Sequence, residues 1–259
     1  MPPLLQVENV NKAFLQPNQG LFSRKKTPII KDVSFSLYQG ECLGIIGESG
    51  SGKSTLGKLI LGLEKPDSGK IYFNGYDTAQ RAWRKSAMRR DISAVFQDYN
   101  ASVNPYFTAS EIIAEPIDIY QKISSNTRKK RIDELLEQVG LDHSFYNRFP
   151  HEMSGGQLQR ICIARAIACS PKFILFDEAV SSLDISVQTQ ILSLLADLQK
   201  QLNLTTIFIT HDLTTITYLC DRIIFFYQGN IVEQVDNIDQ LNQVNHAYSK
   251  QLLDSILGF

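Results

Sequence analysis

The stretch Gly47-Glu48-Ser49-Gly50-Ser51-Gly52-Lys53-Ser54 restricts the fold more than any other part of the chain. It has the phosphate-binding pattern of glycine, four residues, glycine, lysine and then serine or threonine. An apolar run, Cys42-Leu43-Gly44-Ile45-Ile46, precedes it and reads as a strand. Leu56-Gly57-Lys58-Leu59-Ile60-Leu61 comes after it with a helical pattern. Strand, glycine loop and helix in that order place the chain in the α/β class. The glycines permit positive φ and let the main chain come close to an anion. Successive amides and the positive end of the helix then hold phosphate. Lys53 reaches the β- and γ-phosphates, and the Ser54 hydroxyl joins a Mg²⁺ shell. The implied ligand is a nucleoside triphosphate.

The 259 residues allow one large domain or two small ones with a substantial core. With 26 Lys and Arg against 27 Asp and Glu, the formal charge of −1 gives no general reason to expect nucleic acid or an anionic membrane as partner. No apolar run approaches the roughly 20 residues that span a bilayer. Residues 1–8 lack the cationic start and apolar centre of a signal peptide, so a cytosolic protein is expected. Cys42, Cys162, Cys169 and Cys220 are scattered among apolar neighbours. They read as small buried side chains in a reducing compartment, with a metal site or disulfide as the alternative.

Alternation predicts half-exposed strands over residues 5–14, 29–37 and 70–74, with a polar loop, basic at its end, over 16–27. That basic end is solvated surface or a contact for lipid headgroups or a membrane partner. A buried strand is expected at 92–96, and helices at 109–120 and 129–139 in a stretch without strands. The expected organisation is one domain, 1–259. Residues 1–97 and 166–259 form its nucleotide-binding core, and 98–165 form an inserted helical lobe. The apolar run 173–176 reads as a buried parallel strand. A helix over 187–202, strands at 205–209 and 223–227 with a helix between them, and a final amphipathic helix within 245–259 complete the pattern.

Asp177 and Glu178 end the strand at 173–176 side by side. Such a pair is costly to bury without a cation, which makes Mg²⁺ a natural partner for Asp177. Glu178 can face an attacking water as its general base; the alternative is a helix-capping or strand-end acid pair. Ser154-Gly155-Gly156-Gln157 opens the helical run 158–167. It reads as a capped helix start and as a second anion site, separate from the first. Gln97 and His211 each come directly after an apparent strand, where ligands of open α/β sheets sit. A neutral His211 can direct an N–H at a γ-phosphate oxygen.

In order, Phe14, the phosphate loop, Gln97, Ser154–Gln157, Asp177-Glu178, Ser181-Ser182-Leu183-Asp184 and His211 resemble the ATP-binding cassette ATPases over nearly the whole chain. The resemblance implies a RecA-like P-loop core with an antiparallel β subdomain and a helical lobe. It implies hydrolysis of ATP with Mg²⁺ to ADP and phosphate, coupled to transport. Phe14 would stack on adenine, and Gly47 to Ser54 with Thr55 would bind the phosphates. Ser54, Gln97 and Asp177 would hold Mg²⁺, and Gln97 would also touch the attacking water. In that family two cassettes sandwich two ATP molecules. Ser154, Gly155, Gly156 and Gln157 would therefore serve the partner's ATP, and Ser182, Leu183 and Asp184 would link the two active sites.

A narrower resemblance is to the peptide/nickel importer ATPases. It rests on residues 95–105 (VFQDYNASVNP), 111–116 (EIIAEP), 148–152 (RFPHE) and 246–249 (HAYS). Glu178-Ala179-Val180-Ser181 departs from the usual Glu-Pro-Thr-Ser and looks most like the second ATPase subunit of nickel importers. Met153 replaces the usual signature leucine at similar volume. With no carboxyl-terminal cysteine cluster, no iron–sulfur cluster is expected. The resemblance implies a peripheral subunit on the cytoplasmic face of the membrane. Its partners would be a sister ATPase, two permease subunits and, indirectly, an extracytoplasmic substrate-binding protein, but no nucleic acid. A homodimer stays open, as does the cargo: nickel, a metal chelate or small peptides. The rival classes are a soluble cassette protein acting on DNA or ribosomes, and a P-loop kinase or GTPase. The latter has no use for Ser154–Gln157.

Overall fold

The computed structural model describes residues 2–15, 26–84, 86–181 and 183–257. Most of the loop expected at 16–27, Ser182 and Phe259 lie outside the described residues. In chain order the elements are strands β1 (Leu5–Leu15), β2 (Lys26–Leu37) and β3 (Cys42–Ile46), then helix α1 (Lys53–Ile60). Strands β4 (Ser68–Phe73) and β5 (Tyr76–Asp77), the short α2 (Arg81–Arg84) and β6 (Ile92–Phe96) come after it. Next come α3 (Ala109–Tyr120), α4 (Ser125–Gln138), α5 (Gly155–Ile167), β7 (Phe173–Asp177) and α6 (Ile185–Leu202). The chain closes with β8 (Thr205–Thr210), α7 (Leu213–Leu219), β9 (Arg222–Tyr227), β10 (Asn230–Val235) and α8 (Ala247–Leu257).

These elements fall into two compact units, Met1–Ser86 with Ile207–Phe259, and Ala87–Thr206. In the first, β2-β1-β4-β5 form an antiparallel sheet. There too β9 pairs parallel with β3 and antiparallel with β10. Every residue of β3 is buried, as its unbroken apolar run requires of a parallel strand covered on both faces. Phe73, Phe225 and Phe226 are fully buried in this unit, each contributing about 1.5–3 kcal/mol by leaving water. Arg222 ties the unit's strands together through Glu41 (2.8 Å), Asp236 (3.1 Å) and the Ser36 carbonyl (3.2 Å).

The second unit pairs β6 parallel with β7 and carries α3 to α6. Residues 98–165 hold helices and no strand. Each long helix here starts at a side-chain cap. Thr108 and Glu111 form a reciprocal capping box on α3, Ser124 caps α4, Ser154 and Gln157 box α5, and Asp184 caps α6. Pro116 lies inside α3, where it cannot donate to the carbonyl four residues back.

Most expected elements form, with shifted ends. α4 begins four residues before the expected 129, at the Ser124 cap that periodicity ignores. α5 begins at Gly155 rather than at 158, because the Ser154–Gln157 box holds both glycines in the first turn. β5, β10 and α2 have no clear signal in the sequence; two are very short, and β10 carries polar residues through its centre. Thr108→Ala removes the α3 box and is expected to lower stability by about 1 kcal/mol, read as a shift of the urea midpoint at unchanged slope.

Candidate nucleotide site

In the first unit the phosphate loop runs from the end of β3 to α1 in a strongly constrained path. A Cβ at Gly47 would collide with the Phe226 carbonyl oxygen on β9, so only glycine lets the loop lie against that strand. Gly52, at φ 108°, turns the chain into α1 without any side-chain cap on the first-turn amides. The Lys53 side chain folds back over the loop. Its ammonium donates to the carbonyls of Gly47 (2.7 Å) and Glu48 (2.8 Å), and the residue is only 4% exposed. The Gly229 amide, in the β9–β10 turn, donates to the Ser51 carbonyl at 2.9 Å. The Glu48 amide donates to the Tyr248 hydroxyl at 2.9 Å. The Ser51 hydroxyl is buried without a protein partner, and Ser54 is an exposed residue. A glycine-rich loop with an orphan buried hydroxyl and an ammonium folded over it suits a polyphosphate.

Phe14, 39% exposed near the end of β1, has the Lys12 ammonium 5.1 Å from its ring centroid. Lys12 is fixed in turn by the Lys65 carbonyl at 2.8 Å and lies near Glu64 and Asp67. His211 is exposed directly after β8. Its neighbour Asp212 caps α7, accepting from the amides of Thr214 (2.9 Å) and Thr215 (3.1 Å) and from the Thr215 hydroxyl (2.6 Å). Burial pushes the Asp212 carboxyl up, but these bonds outweigh it and hold the group below the usual range.

In the second unit the β6–β7 register sets Phe96 beside Asp177, so Gln97 and Glu178 emerge from the same end of the pair. Asp177 is buried at the strand terminus. Glu178 takes φ 49°, and its carbonyl accepts from the Ser181 hydroxyl at 3.0 Å. The same hydroxyl accepts from the Gln97 amide nitrogen at 3.4 Å, so one serine contacts both candidate catalytic segments. At the start of α5 the Ser154 hydroxyl accepts from the Gln157 amide (3.3 Å), and the Gln157 side chain accepts from the Ser154 amide (2.9 Å). A Cβ on Gly155 would sit 2.6 Å from the Tyr99 hydroxyl and 3.5 Å from Leu183 Cδ2. One on Gly156 would strike Val187. The structure thus brings the start of α5 together with Leu183 and the beginning of α6. Asp184 caps that helix, and the Val187 amide first, then the Ser186 hydroxyl, hold its carboxyl low.

Sequence pattern alone assigns no role to Lys12, Tyr99, Ser181 and Tyr248. Tyr248 stands in the His246–Ser249 run and Ser181 in the run 181–184, both noted for their resemblance. Their partners lie too far away in sequence for spacing to reveal. Cys42 and Cys220 are likewise adjacent, their buried sulfurs 3.3 Å apart, and burial drives the Cys220 thiol well above its usual range.

Glycine loop, lysine, acidic strand end and boxed second helix define a P-loop ATPase of the α/β class. The ABC transporter family pattern matches residues 30–181, and the chain belongs to that family. It hydrolyses ATP to drive transport. It is 43% identical over 256 residues to the metal-staphylopine import system ATP-binding protein CntF of Staphylococcus aureus, covering 99% of this chain and all of that one. It is 42% identical to the oligopeptide transport ATP-binding protein OppF of Haemophilus influenzae, covering 98% of this chain and 78% of the relative. Among solved structures it resembles the ADP- and phosphate-bound dimer of the cassette MJ0796. There the TM-score is 0.79 at 32% identity, over 89% of this chain and 97% of the other. CbiO1 of Clostridium perfringens, part of the cbiONQ transporter complex, matches with a TM-score of 0.77 at 25% identity, over 99% and 96% of the two chains.

Gly47→Ala forces the loop off β9. We expect a loss of about 1–3 kcal/mol in denaturant unfolding, with ATP binding abolished in calorimetric titration.

Proposed function

We propose that the chain is the ATP-hydrolysing subunit of an importer for nickel or a metal chelate. The observation that carries the cargo reading is the 43% identity to CntF along that protein's whole length. The Glu178-Ala179-Val180-Ser181 variation supports it. A second reading, an oligopeptide importer, has its own support in the 42% identity to OppF.

In this reading Lys53 exchanges the loop carbonyls for β- and γ-phosphate oxygens, while the amides of 49–55 surround the phosphates and Phe14 stacks on adenine. Glu178 accepts the proton of the water that attacks the γ-phosphorus. Gln97 orients that water, and His211 donates an N–H to a γ-phosphate oxygen. Ser54, Gln97 and Asp177 offer a hydroxyl, an amide and a buried carboxylate, the oxygen donors that Mg²⁺ takes. The ion supplies charge neutralisation on the phosphates. The buried strand-end carboxylate of Asp177 supports this assignment.

Residues 1–97 and 166–259 act as the nucleotide-binding core of a single cassette, and 98–165 carry the signature. Ser154, Gly155, Gly156 and Gln157 complete the ATP site of a second ATPase subunit, with 182–184 at the junction; the dimeric MJ0796 structures support pairing of this kind. Among the described residues no helix is long and apolar enough to cross a membrane; in this reading two permease subunits supply the path. Tyr106, 85% exposed, and Ile119, 72% exposed, offer the second unit an apolar contact for them at the cytoplasmic face. An extracytoplasmic binding protein delivers the cargo.

Glu178→Gln is expected to slow hydrolysis by about 10²–10⁴-fold while ATP still binds; full turnover would reject Glu178 as the base. The cargo is decided by uptake of labelled nickel and of a labelled tripeptide in cells carrying Lys53→Ala. Loss of nickel uptake alone is the expected result. Loss of peptide uptake alone would transfer the assignment to the second reading.

A further inference from the structure

We infer that Tyr248, on α8, is a positioning residue for the phosphate loop: its hydroxyl fixes the Gly47–Glu48 peptide so that the neighbouring amides face the nucleotide. The inference rests on the role of the loop in ATP binding. Tyr248 is 7% exposed, and its ring packs against Tyr227 at the end of β9, with centroids 4.3 Å apart. Its hydroxyl accepts from the Glu48 amide at 2.9 Å. The placement of the ring is heavily determined. Glu233 on β10 accepts from the amides of Asn245 (2.6 Å) and His246 (3.3 Å), and His246 Nδ1 accepts from the Tyr248 amide (3.2 Å). The two residues leading into α8 are therefore anchored on β10, and this sets where the hydroxyl meets the loop.

The geometry of one peptide plane gives this bond its consequence. The Gly47 carbonyl, on one edge, accepts from Lys53, and the Glu48 amide, on the other, donates to Tyr248. Lys53 releases its edge when its ammonium moves to phosphate oxygens, and Tyr248 keeps the opposite edge. Burial also keeps the phenol protonated, with its ordinary pKa raised, so the oxygen acts as a neutral acceptor at neutral pH. A peptide held at one edge cannot rotate its carbonyl into the space of the incoming anion. The loop thus meets ATP already ordered, which lowers the ordering cost of binding. The Glu48 amide is committed to α8 and is not among the phosphate donors.

The test compares wild type, Tyr248→Phe and Tyr248→Leu as full-length chains by calorimetric titration with MgATP and by steady-state hydrolysis. Tyr248→Phe keeps the ring and is expected to raise both Kd and KM for ATP about three- to tenfold, with kcat at saturating ATP little changed. A merely structural role would lower the active fraction, and so kcat, without moving KM. That outcome, or an unchanged Kd, would overturn the inference. Tyr248→Leu is expected to weaken ATP at least as much and to lower the melting temperature as well. A defect in Leu with none in Phe would assign the effect to ring packing and equally overturn it. Wild-type binding with an unaffected Phe variant sinks only the Tyr248 role; a wild type that binds no MgATP sinks the loop's role along with it.

Discussion

The phosphate loop lies so close to β9 that a single methyl group at Gly47 would collide with the Phe226 carbonyl, and much of the first unit is arranged around that approach. β9 must pair with β3 on the correct register for the carbonyl to stand there. The β9–β10 turn must then return to place the Gly229 amide on the Ser51 carbonyl. Tyr227 leaves the same strand one residue later to meet Tyr248. The loop is therefore a property of the carboxyl-terminal strands as much as of its own glycines, and its eight residues gain their shape from chain nearly 200 positions away.

The second unit meets a different requirement with similar means. Two carboxylates at the end of a parallel strand and a glycine-opened helix must both be held in shape while remaining usable. Ser181 settles the first by contacting Gln97 and the Glu178 carbonyl together. The second is settled by self-contained capping: Ser154 and Gln157 satisfy one another, a Cβ on Gly156 would strike Val187, and one on Gly155 would have to displace the Tyr99 hydroxyl. Short-range bonds of this type need little help from the rest of the molecule, which is why they can sit at an exposed helix start.

That difference explains which features the sequence disclosed. The loop, the strand ending in Asp177 and Glu178, and the helix over Ala109–Tyr120 depend on local pattern and could be read directly. So could the fold class, because strand, loop and helix succeed one another without interruption. Ends set by capping side chains shifted by three or four residues: Ser124 and Ser154 override the weak helical tendency of the first-turn residues they cap. β10 escaped because polar residues break its alternation. Tyr248, Ser181 as a bridge, and the Cys42–Cys220 pair were out of reach for a simpler reason. Each depends on which distant residue arrives opposite, and composition and periodicity do not encode that.

Glu178 holds a left-handed backbone conformation that glycine or asparagine would adopt more comfortably, at a conformational cost of about 1–3 kcal/mol. The turn after β7 is thus one place where the chain is less stable than its fold permits. Selection for robustness alone would favour glycine or asparagine there. With Glu178 as the proposed base, a change to glycine there would relieve the backbone and remove the acid in one step, so silence would come downhill for the fold and activity would have to be maintained.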